Sequence, residues 1–211
     1  MAAVLYDYWR SSASYRVRIG LNLACIPWES RAVNLLTAEH RGPENLARNP
    51  QGLVPTLEID GLRLTQSLAI LEYLDETRGL GLLPADAVGR ARVRALAHAV
   101  AMEIHPVCNL SVARHAVSAS GGAITMEGWM HQFIAPGLAA LERMLDHPAT
   151  GRFCHGDRVS LADLCLVPQM YNAARWGVET AALPRLTAIT AALHDLPAVQ
   201  AAHPDRFQPK G

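Results

Sequence analysis

The stretch Arg10-Ser11-Ser12-Ala13-Ser14-Tyr15-Arg16-Val17-Arg18 has the residue types and spacing for chemistry. Its serine cluster, Ser11, Ser12 and Ser14, follows a short apolar and aromatic run, Val4 to Trp9, that reads as a strand. It opens a helical pattern that runs to about Ile26. Serine is a preferred N-cap because its hydroxyl accepts from a free backbone N–H of the first turn. That turn also presents unpaired N–H groups at the positive end of the helix dipole, so it favours an anion: phosphate, carboxylate or thiolate. The cluster is equally consistent with a cap and nothing more. At ~100° per residue, Val17, Gly20, Leu21 and Ala24 cover one side of the helix and Ile19, Leu23 and Ile26 an adjacent one, while Arg18 and Asn22 share the polar sector. Arg16 falls inside the apolar arc, and a cation in the first turn stands at the unfavourable end of the dipole. Arg16 therefore calls for an anionic partner, either a carboxylate of this chain or part of a ligand, and Arg10 points to the same region.

The elements that position this stretch follow in order. Trp28 to Leu35 alternates weakly and is expected to be a second strand, and a polar segment from Thr37 to Pro50 has room for a short helix near Glu44 to Arg48. Gly52 to Thr65 reads as a hairpin turned by Asp60-Gly61. Pro55 stands at the first residue of a strand, where it need not donate to the ladder, and Val54-Pro55 is compatible with a cis bond. A helix follows from Leu68 with Ser67 as its expected N-cap, ended by Gly79 and Gly81. Strand, helix, strand, short helix, hairpin, helix is a small α/β unit, and Leu82 to Gly89 reads as a linker. From Arg90 onward the pattern is helical. Val93, Leu96, Ala97, Val100, Ala101, Ile104 and Val107 form one apolar stripe, with a break expected at Pro106. His98, Met102, His105 and Asn109 form a second stripe, which reads as a solvent-facing polar edge at His98 and as either such an edge or a cleft wall at Met102, His105 and Asn109 beside the proline. Ser118 to Gly122 is a loop, and a helix is expected from about Thr125 to His147. Ser160 and Asp163 form a capping box, with Val159 and Leu164 as its staple, ahead of a helix expected to kink at Pro168. A last helix, interrupted near Pro197, spans Leu186 to Ala202.

Composition narrows the function classes. The chain has 211 residues, half of them hydrophobic, and a formal net charge of zero, so it can bury a core and shows no bias toward nucleic acid or an anionic membrane. No apolar run approaches the ~20 residues of a spanning helix, and the N-terminus lacks a signal-peptide pattern. Cys25, Cys108, Cys154 and Cys165 form no C-x-x-C pair and read as small buried hydrophobes; the histidines are scattered, so no metal site is expected. The expectation is a soluble, cytoplasmic, globular protein.

Several stretches resemble the zeta class of glutathione transferases, which includes the maleylacetoacetate and maleylpyruvate isomerases. They are Trp9 to Ser12 with Ser14, Arg16 to Ile19 and Leu21; Leu53 to Leu57; Gln66 to Ile70; Asn109 to Val112; Gly156-Asp157, Val159 and Leu161 to Gln169; and Asn172-Ala173 with Arg175. The resemblance covers essentially the whole chain. It implies a thioredoxin-like α/β N-terminal domain over residues 1–82, an all-α C-terminal domain over 88–211, a homodimer without nucleic-acid or membrane partners, and glutathione as cofactor. Carried over, Ser11 and Ser12 face the glutathione sulfur, within a turn completed by Ala13, Ser14, Tyr15 and Arg16. Val54 pairs its backbone with the cysteinyl part, Gln66 and Ser67 hold the γ-glutamyl end, and His40 lies near the glycyl end. His105, Asn109, Leu110 and Ser111 match a second-domain wall. Arg175 matches an arginine that holds a substrate carboxylate, and Arg10 joins it in neutralising a dianion. Zeta motifs usually read Ser-Ser-Cys, and Ala13 stands at the third position here. A cysteine there is linked to reductive dehalogenation, so its replacement argues against that activity but leaves isomerisation, which needs the glutathione thiolate. The alternative within the family is a general glutathione transferase or haloacid dehalogenase.

Overall fold

Leu5 and Leu57 face each other across the centre of a four-stranded sheet, and each is fully buried. The sheet belongs to a computed structural model that describes residues 2–209. Strand β1 (Ala3–Asp7) leads through helix α1 (Ser12–Leu23) to β2 (Trp28–Ala32), which pairs with β1 in parallel. A parallel pair requires such a crossover. A 3₁₀ turn (Glu39–Arg41) and a short helix α2 (Pro43–Arg48) precede the hairpin of β3 (Thr56–Ile59) and β4 (Leu62–Thr65). The strand order is β2-β1-β3-β4, and helix α3 (Ser67–Arg78) follows. Leu5, Leu57 and Ile59 of the sheet pack with Val17 and Leu21 of α1 and with Ile70 and Leu74 of α3, both helical pairs at the i, i+4 spacing that one face of a helix presents.

The register decides where function can sit. Tyr6 pairs with Thr56 and Thr56 with Thr65, so the C-terminal end of β1, the N-terminal end of β3 and the C-terminal end of β4 meet at one edge. Ala32, which closes β2, lies opposite Asp7 at that same edge. The chain therefore delivers the serine turn, the Val54-Pro55 turn and the Gln66-Ser67 turn to one side of the sheet.

Residues from Leu82 to His194 form a second unit, which is helical throughout its regular structure. Its helices are α4 (Ala87–His98), α5 (His105–Val107), α6 (Leu110–Ala119), α7 (Met126–Met144), α8 (Leu161–Arg175) and α9 (Pro184–His194). The helix begins inside the expected linker because Asp86 caps it, its carboxylate accepting from the Gly89 N–H at 2.7 Å. The disruption expected at Pro106 takes the form of a π-helical turn over Ala99–Ile104, followed by the short α5 that contains Pro106 and then by α6. A proline there withholds an N–H from the preceding turn, and a widened turn is one way to absorb that. Pro168, by contrast, does not end α8, which continues to Arg175. That helix starts where Asp163, fully buried, accepts from the Ser160 N–H at 2.7 Å and hydroxyl at 2.6 Å and from the Cys154 N–H at 2.9 Å. Burial pushes the Asp163 carboxyl above its ordinary range, and these donors work against that shift.

One expectation changes. Domain boundaries drawn at 1–82 and 88–211 place the C-terminus with the helical part, yet the stretch from Asp195 onward, including α10 (Pro197–Ala201), groups with the sheet unit. The reason lies on α1: Asn22 Nδ2 donates to the Ala198 carbonyl at 3.0 Å, Arg18 Nε donates to the Ala202 carbonyl at 3.1 Å, and Trp28 stacks on Phe207 at 5.5 Å. The polar sector holding Arg18 and Asn22 is the side of α1 on which this segment lies. Arg18 is wholly buried, because the returning C-terminal segment covers the side of the helix that a wheel leaves polar.

Candidate active site

The serine turn is built from below. Asp7 ends β1, and its buried carboxylate accepts from Ser30 Oγ at 2.7 Å and Arg18 Nη1 at 2.6 Å. Burial raises the Asp7 pKa above its ordinary value, while Arg18 and Ser30 act to lower it. The same guanidinium donates through Nη2 to the Trp9 carbonyl at 2.9 Å, pinning the chain where it leaves the strand. The Ser11 N–H then closes a turn onto the Tyr8 carbonyl at 2.9 Å. Arg10 donates to the Tyr8 hydroxyl at 3.2 Å and lies 4.7 Å over the Trp9 ring.

Ser11 is the N-cap of α1, its Oγ accepting from the Ser14 N–H at 3.2 Å. Accepting uses a lone pair and leaves its O–H to donate. Ser12 is the first residue of the helix and is buried with Ser14; Ala13 is half-buried and carries no donor. Neither α1 nor α3 has an acidic residue in its first turn, so both N-termini at this edge keep their positive character.

At the second N-terminus the expected cap shifts by one. Ser67 is the first residue of α3, not its N-cap; that position is Gln66, which makes no side-chain cap bond. Gln66 sits at φ 67°, ψ 109°, a backbone region that non-glycine residues occupy only when their surroundings hold them there. Its Nε2 donates to Gln51 Oε1 at 2.8 Å. The Ser67 hydroxyl accepts from Arg16 Nη1 at 3.2 Å, so the arginine in the apolar arc of α1 crosses to the start of α3, and both residues are buried. Glycine tolerates positive φ, so Gln66→Gly is expected to leave thermal stability intact or raise it slightly. If Gln66 holds one end of glutathione, as the resemblance implies, loss of the side chain should nonetheless weaken that binding by roughly tenfold, the worth of one or two hydrogen bonds. Thermal denaturation with isothermal titration checks both halves, and a variant that binds normally would remove Gln66 from the site.

The third component is the cis Val54-Pro55 bond, which the residue pattern allowed. Asn49 fixes the approach to it: its Nδ2 donates to the Leu53 carbonyl at 3.1 Å and its Oδ1 accepts from the Gln51 N–H at 3.0 Å. Asn49 and Gln51 were not among the expected site residues. The Asn49-Pro50-Gln51-Gly52 run is the signal that points to them, since asparagine side chains habitually bond the backbone two residues on. His40 lies in the 3₁₀ turn, and its carbonyl accepts from the buried Asn45 at 2.9 Å.

The remaining expected residues belong to the helical unit. His105 opens α5, Asn109 caps α6 from an extended backbone, and Leu110 and Ser111 are the first residues of that helix. Trp129 Nε1 holds the junction through the Val107 carbonyl at 2.8 Å. Arg175, exposed, ends α8 with its guanidinium 4.7 Å over the Trp176 ring.

The chain's own thiols are badly placed for nucleophilic work. Burial pushes Cys108 up to about 11 and Cys154 well above its ordinary value, so both stay protonated. Cys165 is buried as well, and exposed Cys25 follows the C-terminal end of α1. Twelve residues of helix, roughly 18 Å, separate that end from the serine turn. Among the described residues there is no cluster of His, Cys, Asp and Glu suited to a metal ion, and no helix long and apolar enough to cross a membrane.

Residues 1–76 match the glutathione S-transferase N-terminal domain family. Over 208 residues, covering 98% of each chain, the sequence is 64% identical to the maleylacetoacetate isomerase of Rhizobium meliloti strain 1021. The chain belongs to the maleylacetoacetate isomerase family. A solved zeta-class glutathione transferase, a bacterial maleylpyruvate isomerase in its holo form, superposes with a TM-score of 0.93 at 40% identity, covering 99% of this chain and 100% of that one. A maleylacetoacetate isomerase from Methylobacterium extorquens AM1, solved with malonate and glutathione bound, superposes at 0.92 with 43% identity over 98% of both chains. The thioredoxin-like sheet unit and the helical remainder are the architecture of this family.

Proposed function

We propose that this protein isomerises a maleyl ketoacid from cis to trans with glutathione as cofactor, converting maleylacetoacetate to fumarylacetoacetate or maleylpyruvate to fumarylpyruvate in the breakdown of aromatic compounds. The observation that carries the reading is the single sheet edge where two acid-free helix N-termini and the Val54-Pro55 turn meet, in a chain whose own thiols are buried or remote. That donor set fits a ligand bearing a thiol and carboxylates. Ser11 and Ser12 would face the sulfur, the Val54 backbone the cysteinyl part, Gln66 and Ser67 the γ-glutamyl carboxylate, and His40 the glycyl end.

When bound, glutathione supplies a thiolate whose reversible addition across the cis double bond turns it into a single bond that can rotate. The residues of this chain do the rest. An ordinary thiol with a pKa of ~8.5 is a few per cent ionised at neutral pH. The Ser11 hydroxyl and the α1 N-terminus favour the charged form by about one or two pKa units, roughly 1.4–2.7 kcal/mol. By the resemblance, Arg10 and Arg175 are the cations assigned to the substrate carboxylates, and His105, Asn109, Leu110 and Ser111 are the residues of the helical unit assigned to substrate contact. The relative solved with malonate and glutathione supports a small dicarboxylate as the substrate class.

Arg175→Ala should raise the substrate KM about tenfold or more and leave glutathione affinity within twofold, the loss of one charge-assisted contact; an unchanged KM would remove Arg175 from substrate binding. The resemblance also implies a homodimer, which sedimentation of the purified protein would test. The activity itself is tested by following maleylacetoacetate and maleylpyruvate by absorbance with and without glutathione: faster consumption of one of them, only with the cofactor, is the expected result.

A further inference from the structure

We infer that Arg16 is a positioning residue for the cofactor, acting through the Ser67 hydroxyl and not by touching the ligand. This rests on the proposed glutathione site and names a part of its machinery.

The argument starts from an oddity of sequence. Arg16 is the fifth residue of α1, close to that helix's own positive end, and stands where the wheel is apolar. The structure keeps it buried, at 2% exposure, a position that only specific partners can sustain. One of these partners is Ser67 Oγ, reached from Nη1 at 3.2 Å, and Ser67 is itself 7% exposed.

A serine hydroxyl owns one proton and two lone pairs. Once a lone pair accepts from a guanidinium, which has no acceptor of its own, the proton is directed elsewhere. Ser67 is the first residue of a twelve-residue helix with no acid in its first turn, so its neighbourhood already consists of unpaired N–H donors. Arg16 thereby turns Ser67 from a group that can accept or donate into a committed donor, and it adds a positive charge behind the donors. The γ-glutamyl carboxylate, accepting only, is the part of glutathione that matches such a set. The hydrogen bond from Arg16 also ties the N-terminal half of α1 to the first residue of α3, holding the two N-termini at a fixed separation along the shared edge.

The test is a double-mutant cycle on the full-length protein, read as the dissociation constant for glutathione by equilibrium titration. Ser67→Ala and Arg16→Met should each weaken binding by roughly tenfold or more, and the double variant should be no weaker than the worse single one. Arg16→Lys, which can still donate to Ser67, should recover most of the affinity; it also keeps the test meaningful if Arg16→Met folds poorly. The loss in Arg16→Met should vanish for a glutathione analogue whose γ-glutamyl α-carboxylate is replaced by an amide, a pattern that general loosening would not produce. Losses that multiply in the double variant, or an equal loss for the analogue, overturn the inference while leaving the site in place. A Ser67→Ala variant that binds normally overturns the site reading and the inference with it.

Discussion

Ser11→Ala is expected to lower turnover at pH 7 by roughly tenfold or more while changing glutathione affinity by less than about threefold. The magnitude follows from ionisation. If the turn holds the bound thiol near pKa ~7, with most of that shift supplied by the Ser11 hydroxyl, and the variant lets it return toward ~8.5, the ionised fraction at pH 7 falls from about half to a few per cent. The sign fixes a second expectation. The variant's pKa lies higher, so its rate should keep climbing up to about pH 9 after the parent has levelled off, and the two should converge in alkaline solution. Loss of the bond from the Ser14 N–H to Ser11 also removes a helix cap, worth about 1 kcal/mol of stability. Thermal denaturation separates that cost from the kinetic one. A variant with the parent's rate and pH profile would transfer the role to Ser12, the buried hydroxyl next to it.

The largest effect on stability is expected at Arg18. Arg18→Met would strand the Asp7 carboxylate, buried and now holding only Ser30, at a cost of about 3–5 kcal/mol near neutral pH. It would also free the Trp9 carbonyl from which the serine turn departs, and remove the cation lying 4.5 Å over the Phe207 ring. The pH dependence has a definite sign. Burial already holds the Asp7 pKa above its ordinary value, and Arg18 works to lower it, so removing Arg18 raises it further. An acid whose folded pKa exceeds its unfolded one is bound to more protons when folded, so stability increases as pH falls through the folded pKa toward ~3.9. The deficit of the variant relative to the parent should shrink on acidification. Adding Asp7→Asn, which removes the stranded charge and retains an acceptor for Ser30, should recover more than half of the loss. Urea titrations at several pH values would show both effects, and a deficit that grows on acidification would contradict this account of the pair.

Much of this arrangement is legible in the residues, and the exceptions have physical causes. The hairpin turned at Asp60-Gly61, the cap at Ser11 and the Ser160-Asp163 box are local, set by side-chain and backbone groups a few residues apart. Reading them needs no knowledge of what packs above. The polar sector holding Arg18 and Asn22 is legible, but what covers it is not, because their partners, Ala202 and Ala198, come from the opposite end of the chain. The same long-range return moved the last helix out of the domain to which its sequence neighbours belong. Ser67 was displaced by one position because Gln66 takes up a backbone conformation that its residue type does not suggest. Of the site, the serine turn, Val54-Pro55 and Gln66-Ser67 were visible as separate signals, but their convergence rests on the register of Tyr6, Thr56 and Thr65. The reach of Arg16 to Ser67, fifty-one positions away, is a tertiary fact that no spacing encodes.

The central claim is that this chain borrows a thiolate and returns it. It is tested most directly by incubating the protein with a large excess of maleylacetoacetate over glutathione and following absorbance together with free thiol. Many turnovers per glutathione, a fumaryl product and a constant thiol titre are predicted. Conversion that stops after one equivalent with loss of thiol, or that proceeds equally well without glutathione, would contradict it.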